Sequence, residues 1–465
     1  MSSYDQSSNL GFSPDVPELG LPERVWRFAK IAMLAARTYL CYKSTQLWTG
    51  LVTARNRDEL YRRQDLRSAR DLYRTAVALE GLLIKASQFI GTRADILPDE
   101  WVRTLSALHD RVPPRPFELV RDTIEREMGR PLNSIYTEFD PVPIASASLA
   151  QVHRACLHDG RFCAVKVQYP GIESRVRADL RNMLFVLRML AWMEPNFDFQ
   201  MIAREALKYI PMELDFLHEA ENCLNMRHNF SQRSDVLVPE VYLEFTTRRV
   251  LTMELMSGIK ISDIAALESA GISKHAVAQM LTEVYCEQIL RDGFFHADPH
   301  PGNILVQPGP RLVLLDFGLA KEFPASFREG FVRLTFSVLM NDRRGIVKAF
   351  QDLGFRTRDG STDTLLALSD AFLGNTLRHR KAYADKELLE EISEELPRTL
   401  RSNPIVEIPG DVLLISRVMG LLSGLGKTLD SQVDLMATMM PYAQTLMAGQ
   451  PAAAADAWAR KDCNV

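Results

Sequence analysis

The chain has 465 residues, of which 46% are hydrophobic and 25% charged, and this is the composition of a globular protein with two or three compact units. Its net charge of -4 provides no general attraction to nucleic acid, so no nucleic-acid partner is expected. The six cysteines include no Cys-x-x-Cys pair, which argues against a zinc knuckle or a disulfide framework and fits a reducing, cytoplasmic environment.

The N-terminal part of the chain combines a polar tail with a hydrophobic, basic segment. Residues 1–22 contain no Lys, no Arg and no apolar stretch of the signal-peptide type, so they are predicted to be a disordered tail. Residues 24–54 mix large apolar side chains with arginines and lysines. The favoured interpretation is a helix that packs on its own domain. The alternative is a basic amphipathic helix in peripheral contact with the inner face of a membrane.

No transmembrane helix is predicted. The longest uncharged run, Leu435–Ala455, has the length of a membrane span, but two prolines, a glycine and two glutamines interrupt it. Its apolar density is therefore too low for a spanning helix.

Hydrophobic periodicity divides the rest of the chain into helices, a small sheet and a second, mainly helical region. Residues 56–130 have helical periodicity, with breaks at the proline-containing stretches 97–100 and 113–116. The hairpin signal His158–Gly160 indicates an antiparallel sheet. From Ile261 the chain is mainly helical apart from short strands at 303–306 and 311–317. The five strand-like runs of the small lobe are 134–140, 150–157, 161–168, 237–245 and 248–255, with helical residues at 172–230.

The stretch "HADPHPGN" (His296–Asn303), followed by "DFG" at Asp316, has the residue types of a phosphoryl-transfer loop. Such a loop needs a carboxylate near the attacking group, and an amide oxygen and a second carboxylate that hold Mg²⁺ beside the phosphates. Asp298 is the candidate catalytic base or water-orienting carboxylate, and Asn303 and Asp316 are the candidate metal ligands. His296 and the other loop histidine, His300, are expected to be structural.

Three positions in the preceding lobe supply the expected nucleotide contacts. Lys166 lies in the strand "CAVKV", where kinases carry the lysine that pairs with the phosphates. Glu219, in the following helix, is the candidate partner that positions Lys166. Glu254 and Met256 lie where a strand leaves for the helical lobe, which is the place of an adenine-binding hinge.

The expected phosphate-binding loop contains no glycine. Its residues Ala145, Ser146, Ala147 and Ser148 stand where ATP-binding lobes carry a glycine-rich turn. Because each Cβ atom restricts φ and limits close approach to phosphate, the loop is expected to be stiffer and to bind nucleotide differently. An ordinary hairpin loop that touches no ligand is the alternative.

Together these residues resemble the UbiB family, also called ABC1 or ADCK (AarF-type) atypical kinases, over about residues 75–430. "KASQ" (Lys85–Gln88) is similar to the family's KxGQ motif, with Ser87 in place of glycine. "ASAS" (Ala145–Ser148) is similar to its alanine-rich loop, with Ser146 in place of a middle alanine. "ELD" (Glu213–Asp215) is similar to its ExD motif.

The resemblance implies an α+β, protein-kinase-like two-lobed fold with an N-terminal helical extension. It also implies Mg²⁺-dependent binding of ATP or ADP, ATPase or unorthodox kinase activity, and a link to ubiquinone and other isoprenoid lipids. Lys85 and Gln88 would then enter the site, with Lys85 pairing with Glu213 or Asp215. The expected divisions are a tail at 1–22, the extension at 23–130, an N-lobe with a helical insert at 131–256, a C-lobe at 257–448 and a flexible tail at 449–465.

Three functions remain open at this point. The first is an atypical kinase or ATPase that acts on a lipid or small molecule and supports quinone metabolism, with an isoprenoid lipid or quinone precursor as partner. The second is a small-molecule phosphotransferase of the aminoglycoside or choline kinase type, which "KASQ" and "ELD" disfavour. The third is a scaffold that senses ADP or ATP without turnover. Phosphorylation of proteins in trans is not expected, because Ala297 replaces the arginine of the kinase loop and no Ala-Pro-Glu follows Asp316.

Overall fold

The structure is a computed structural model that describes residues 17–49, 54–85, 99–106, 114–194, 203, 207, 210–357, 362–369, 405–407 and 410–447. The chain divides into two compact units. The first comprises Met1–Glu221 with Glu240–Leu255, and the second comprises Asn222–Pro239 with Met256–Val465.

The first unit begins with helices that share a hydrophobic core. Ile31, Leu79 and Leu180 are among the buried side chains of this core. The buried guanidinium of Arg27 donates to both carboxylate oxygens of Asp179, at 2.7 and 2.5 Å. The helix at Leu21–Thr49 therefore packs on its own domain, as the favoured interpretation of residues 24–54 stated. The described helices are α1 (Leu21–Thr49), α2 (Ala54–Leu79), α3 (Asp99–Ser106), α4 (Phe117–Met128), α5 (Ile172–Met193) and α6 (Phe216–Asn229), the last of which begins in this unit.

The same unit contains an antiparallel sheet whose strand order is β1-β3-β4-β6, with β2 paired to β3. One face of the sheet packs on α4 through Val120, Ile124 and Val165. Helix α4 starts directly after Pro116 and ends at Gly129, whose left-handed φ of 67° closes the helix. The strands in chain order are β1 (Tyr136–Phe139), β2 (Ala145–Ser146), β3 (Ala150–Leu157), β4 (Phe162–Gln168), β5 (Val236–Leu237, in the second unit) and β6 (Val250–Glu254).

One predicted strand is wrong. Residues 237–245 do not join the first sheet as a continuous strand. Val236–Leu237 instead pairs in the second unit, Val241 makes a single bridge to Met253, and Leu243–Phe245 is a 3₁₀ turn. The fifth strand of the first sheet is β2, inside the alanine-rich loop.

The second unit contains a four-stranded sheet of order β5-β10-β9-β7 and the two-stranded pairs β8/β11 and β12/β13. Its strands are β7 (Ile259–Lys260), β8 (Phe294–His296), β9 (Ile304–Gln307), β10 (Arg311–Leu314), β11 (Ala320–Glu322), β12 (Arg356–Thr357) and β13 (Ile405–Glu407). Its described helices are α7 (Ile264–Ser269), α8 (Lys274–Cys286), a π-helix (Glu287–Asp292), α9 (Ala325–Leu339), α10 (Arg343–Asp352), α11 (Asp363–Ser369), α12 (Gly410–Thr428) and α13 (Leu435–Met447).

Among the residues described, no helix is both long enough and apolar enough to cross a lipid bilayer. In the uncharged run that starts at Leu435, the described helix α13 spans 13 residues and contains Pro441, so it is too short to cross a bilayer.

Candidate functional site

In the first unit, Lys166 and Glu219 form a buried ion pair. Lys166 lies in the middle of β4, between Val152 of β3 and Leu251 of β6. Its Nζ donates to both carboxylate oxygens of Glu219 at 2.7 and 2.9 Å. The two side chains are 11% and 3% exposed, so solvent screens the attraction only weakly. This is the geometry in which a strand lysine is held ready for phosphate by a helix glutamate.

The turn that precedes α6 fixes the position of Glu219. The carboxylate of Asp215 accepts from the backbone N–H of Leu217 at 3.0 Å and so caps the helix. The side-chain amide of Gln168, at the end of β4, donates to the carbonyl of Leu214 at 2.8 Å. The strand of Lys166 and the helix of Glu219 are therefore tied together at a second point.

Lys85 reaches the same turn from the N-terminal extension. Its Nζ lies 3.1 Å from Oε2 of Glu213, so Glu213, one of the two acidic residues considered for it, forms an ion pair with Lys85. Asp215 serves as the helix cap described above. Gln88, the other predicted member of the motif, lies outside the described residues.

The alanine-rich loop is a tight hairpin. Ala145 and Ser146 pair with β3, and the N–H of Ala147 donates to the carbonyl of Ala150 at 2.8 Å. None of the four loop residues has a positive φ, which explains how the loop forms without glycine. Tyr169 donates its hydroxyl proton to the carbonyl of Ala147 at 3.0 Å. Burial raises the pKa of Tyr169 to about 12, so this donor stays protonated at neutral pH.

Glu254 closes strand β6. Its N–H donates to the carbonyl of Glu240 at 2.8 Å, and its Oε2 accepts from the N–H of Glu240 at 3.1 Å. Met256 lies in a stretch without regular secondary structure that runs from Leu255 to Gly258. These two predicted hinge residues thus lie at a strand end, where backbone groups are released from sheet pairing.

In the second unit, Asp298 follows β8 in a loop held by buried polar groups. The backbone N–H of His296 donates to Oε1 of the fully buried Gln288 at 2.7 Å. The ring of His296 makes a 2.9 Å hydrogen bond to the carbonyl of Leu315 and accepts at Nδ1 from the N–H of Asp298 at 3.2 Å. His296 is therefore a structural residue that orients the Asp298 backbone. Burial raises the pKa of Tyr285 well above its usual value, and the charge of Asp298 adds to the rise.

The two predicted metal ligands are joined through their backbones. The N–H of Leu315, which precedes Asp316, donates to the carbonyl of Asn303 at 2.8 Å. The side-chain amide of Asn303 donates to the carbonyl of Asp298 at 3.1 Å. Because Nδ2 is the donor in that bond, Oδ1 is the atom that Asn303 would offer to a cation. Asp316 has a left-handed φ of 58°, a conformation that few non-glycine residues adopt.

The donor set fits Mg²⁺. Within the part of the chain that the structure describes, no three His, Cys, Asp or Glu side chains converge as a metal cage. An amide oxygen and one carboxylate are instead the sparse, hard-oxygen ligands with which proteins hold Mg²⁺ together with substrate phosphates and water. Asn303 and Asp316 are the residues that would hold the ion.

Three further residues support the site without having been predicted from the sequence. Asn222, on α6, donates to the carbonyl of Phe317 at 3.0 Å and so holds the residue after Asp316. Gln288 and Gln168 act as described above. All three are buried, and a polar residue in an apolar helix or strand pattern was the only available signal.

Comparison with known proteins settles the family. A family model described as the ABC1 atypical kinase-like domain matches residues 107–350. The chain belongs to this family. The resemblance expected from the five motifs is thus confirmed.

Relatives in the ABC1 family span several lineages. An uncharacterised protein of Synechocystis is 32% identical over 93% of this chain and 75% of its own length. The chloroplastic protein ACTIVITY OF BC1 COMPLEX KINASE 7 of Arabidopsis thaliana is 34% identical over 81% of this chain and 54% of its own. AarF domain-containing protein kinase 1 of Mus musculus is 37% identical over 62% of this chain and 56% of its own. The chain thus spans between about half and three quarters of the length of these relatives.

A solved structure supports the fold. The complex of Rv3197 with erythromycin from Mycobacterium tuberculosis matches with a TM-score of 0.60 and 24% identity, covering 82% of this chain and 97% of that one. With the family match, this confirms the predicted α+β, protein-kinase-like fold.

Proposed function

We propose that this ABC1-family protein binds ATP with Mg²⁺ and transfers or hydrolyses its γ-phosphoryl group in support of ubiquinone or other isoprenoid-lipid metabolism. The observation that carries the proposal is the buried Lys166–Glu219 pair, with Nζ–O distances of 2.7 and 2.9 Å. A buried ion pair stabilises a fold weakly or not at all in comparison with apolar packing. Its presence in the third strand of this sheet is therefore better explained by phosphate binding than by stability.

Each residue has a separate part in the proposed reaction. Lys166 pairs with the phosphates, and Glu219 keeps its ammonium group at the place where β4 presents it. Bound Mg-ATP would supply the γ-phosphoryl group, with the cation neutralising charge on its oxygens. Asn303 and Asp316 would hold the cation, and Asp298 would accept a proton from the attacking hydroxyl or orient a water molecule.

The Lys85–Glu213 contact favours this proposal over a phosphotransferase of the aminoglycoside or choline kinase type. Lys85 belongs to "KASQ" and Glu213 belongs to "ELD", the two motifs that resemble those of the ABC1 family. Their side chains lie 3.1 Å apart. A helix of the extension thereby contacts the turn before α6, the helix that carries Glu219. We propose that the acceptor is water, a lipid or a small molecule rather than a protein in trans.

The test is a Mg-ATP hydrolysis assay on the purified chain, with and without phospholipid or a quinone precursor. We expect turnover in the parent and a rate lower by a factor of ~10² to 10⁴ in Asp298→Asn. Nucleotide binding, measured by thermal shift, should survive that substitution. A parent that binds nucleotide but never hydrolyses or transfers phosphate would instead be an ADP/ATP-sensing scaffold. Equal rates in parent and Asp298→Asn would contradict the role of Asp298.

A further inference from the structure

A cavity lies within the helical part of the second unit. Helix α8, the π-helix and helices α9, α12 and α13 enclose it. Phe331, Leu422 and Leu435 each contribute a side chain to its wall from a different one of these helices. The unfilled space, including the part that opens to solvent, is about 720 Å³. Protein interiors are normally packed without gaps of this size, so the cavity needs an explanation.

The wall of the cavity is apolar. Among the described residues that line it, none is charged, and only Tyr285 and two threonines carry a hydroxyl group. Thr282 donates to the carbonyl of Ala278 at 2.9 Å, and Thr335 donates to the carbonyl of Phe331 at 3.0 Å. Both threonine hydroxyl groups are therefore satisfied within their own helices and need no ligand.

Tyr285 carries a polar group that the fold does not satisfy. The residue is 2% exposed, and its hydroxyl group has no hydrogen-bond partner within the part of the chain that the structure describes. A buried polar group without a partner is rare in native proteins and calls for an explanation. The charge of Asp298 contributes to the raised pKa of Tyr285. A side chain that lines the cavity thus also lies near the predicted catalytic carboxylate.

The π-helix in the wall is a second irregularity at the same place. Ile289 and Leu290 line the cavity from this helix. Helical turns with the wider i→i+5 hydrogen bonds are rare and occur frequently at functional sites. The neighbouring Gln288 accepts from the N–H of His296, in the loop of Asp298. The π-helix therefore contacts both the cavity and that loop.

The composition of the wall determines which ligands fit. A peptide or a polar metabolite would bring N–H and C=O groups that this wall cannot pair, and each group would lose its hydrogen bonds to water. A charge would be opposed still more strongly. Apolar cavities instead accept apolar molecules, which gain free energy when they leave water. Met419 and Met439 add unbranched, flexible side chains that adapt to the shape of such a molecule.

We infer that this cavity is a binding site for a small, uncharged molecule that consists mainly of hydrocarbon. The ligand lies between α8, α9, α12 and α13 and contacts the ring of Tyr285. This inference goes beyond the proposed function, because binding here requires neither nucleotide nor phosphoryl transfer.

The test is a titration of the full chain, labelled at the methionine methyl groups, with methylcyclohexane and without nucleotide. We expect saturable shifts of the NMR signals of Met419 and Met439, which the variants Met419→Leu and Met439→Leu assign. The signal of Met340, which is 77% exposed, should not move. Cyclohexanecarboxylate has a carboxylate in place of the methyl group and should shift none of these signals. Methylcyclohexane should also raise the Tm of the parent.

Cys286→Leu tests the empty space directly. Because leucine would occupy part of the cavity, this variant should have at least the Tm of the parent and should lose the methyl shifts. The matched control is Cys223→Leu, since Cys223 is 2% exposed and lies outside the cavity, whereas Cys286 is 7% exposed and lines it. The control should have a lower Tm, because its site has no free volume, and should keep the shifts. Ile415→Phe fills the cavity from α12 and serves as a second blocking variant.

Three results would overturn the inference. The parent could show no methyl shift with methylcyclohexane, as it would if other residues of the chain fill the cavity. Met340 could move as much as Met419 and Met439, or cyclohexanecarboxylate could act like the hydrocarbon, which would indicate adsorption at the surface. Cys286→Leu and Ile415→Phe could both bind as the parent does. None of these results depends on ATP turnover, so failure here would leave the proposed function standing.

Discussion

Asp316 is held in an unusual backbone conformation by hydrogen bonds on both of its sides. The preceding N–H, of Leu315, donates to Asn303, and the following carbonyl, of Phe317, accepts from Asn222. An L-residue at a φ of 58° is strained by roughly 1 kcal/mol or more, although aspartate and asparagine tolerate it best. The two flanking bonds offset that strain and fix the direction of the carboxylate, as a metal ligand requires.

Asp316→Asn should abolish the Mg²⁺-dependent part of nucleotide stabilisation. Asparagine adopts the same left-handed conformation, so the substitution removes the ligand charge and leaves the backbone in place. The measurement is the rise in Tm with Mg-ATP compared with ATP and a chelator. The matched control is Asp430→Asn, because Asp430 also has a left-handed φ, of 53°, and its exposed carboxylate pairs with Lys274 at 3.3 Å.

Asp430→Asn should keep the full Mg²⁺-dependent shift. An unchanged shift in Asp316→Asn would remove Asp316 from the metal site. A shift lost in both variants would indicate damage to the second unit rather than loss of a ligand.

Glu219→Gln should destabilise the first unit by about 3–5 kcal/mol, because it leaves the buried ammonium of Lys166 without its counter-charge. Lys166→Met in the same chain should restore much of that loss, since the buried charge is then gone. Urea unfolding of the two single variants and the double variant measures this coupling. Additive losses would show that the two charges do not interact.

The control for this pair is the ion pair of Glu59 with Arg62, which lies on the surface of α2. Glu59→Gln should change stability little, since exposed pairs are screened by solvent. A loss as large as that in Glu219→Gln would indicate a general sensitivity of the first unit to charge removal.

At the level of elements, the sequence predicted those whose signal is local. Pro116, in one of the two predicted breaks, lies directly before α4, and the hairpin at His158–Gly160 joins β3 to β4. Residues 237–245 were mistaken for one strand because their apolar character gives no information on the partner strand. Pro239 interrupts the run and has no N–H for a ladder. The chain on either side of it then pairs with different strands. The short strand β2 was not predicted, because two residues are too few to show the alternation of apolar and polar side chains that indicates a strand.

Strand β3 carries a buried histidine that should make stability depend on pH. His153 donates from Nδ1 to the carbonyl of Asp140 at 2.7 Å, and its Nε2 accepts from the side-chain amide of Gln151 at 2.9 Å. This arrangement holds the neutral ring, and burial lowers the pKa of His153. The unfolded chain therefore binds the proton more readily than the folded chain. The contribution of His153 to the free energy of unfolding is fully present above the unfolded pKa of about 6.5, and it is lost as the pH drops below that value.

We expect the fall in Tm between pH 7.5 and pH 5.5 to be smaller in His153→Gln than in the parent, when both are compared with their own values at pH 7.5. The amide of glutamine does not titrate in this range. His158→Gln, at an exposed position two residues beyond Cys156, is the control and should retain the parent's pH dependence. Identical acid sensitivity in His153→Gln and the parent would show that other groups cause it.

At the scale of the whole molecule, the sequence predicted the order of the motifs, and the fold supplies the contacts between them. Lys166 and Glu219 are 53 residues apart, and only the strand and helix that carry them bring their charges together. Asn222 and Gln288 could not be predicted, because a single polar residue on a helix usually faces water. The order of the kinase-like motifs allowed the charged site residues to be predicted from the sequence. It gave no information on the neutral amide side chains that hold the loops.

The N-terminal extension is joined to Lys166 and Glu219, the proposed phosphate-binding pair of the first unit, through a short series of contacts. Lys85 contacts Glu213 at 3.1 Å, Asp215 caps α6 two residues later, and Glu219 follows in the first turn. The extension also shares a core with the alanine-rich loop, since Leu149 packs in the same cluster as Ile31. A change at Lys85 should therefore alter the position of Glu219, and with it that of Lys166.

Lys85→Ala and Glu213→Gln should each change the ATPase rate or the preference between ADP and ATP, while thermal unfolding without nucleotide changes little. Lys274→Ala is the control. Lys274 is 29% exposed and lies 3.3 Å from Asp430, whereas Lys85 is 28% exposed and lies 3.1 Å from Glu213. The two lysines are thus equally exposed, but the partner of Lys274 lies at the surface and that of Lys85 is largely buried. Titrations with Mg-ADP and Mg-ATP and a phosphate-release assay measure the effect, and Lys274→Ala should match the parent in both.

The parent should also phosphorylate no generic peptide in trans, because Ala297 replaces the loop arginine and no Ala-Pro-Glu motif follows Asp316 to anchor a peptide platform. Radiolabelled ATP with a mixed peptide library, in the presence of the parent and of Lys85→Ala, measures this directly. If Lys85 restrains the site, any gain of peptide labelling belongs to Lys85→Ala and not to the parent. Strong labelling by the parent, or a Lys85→Ala variant identical to it in nucleotide binding, turnover and labelling, would refute the restraint by the extension.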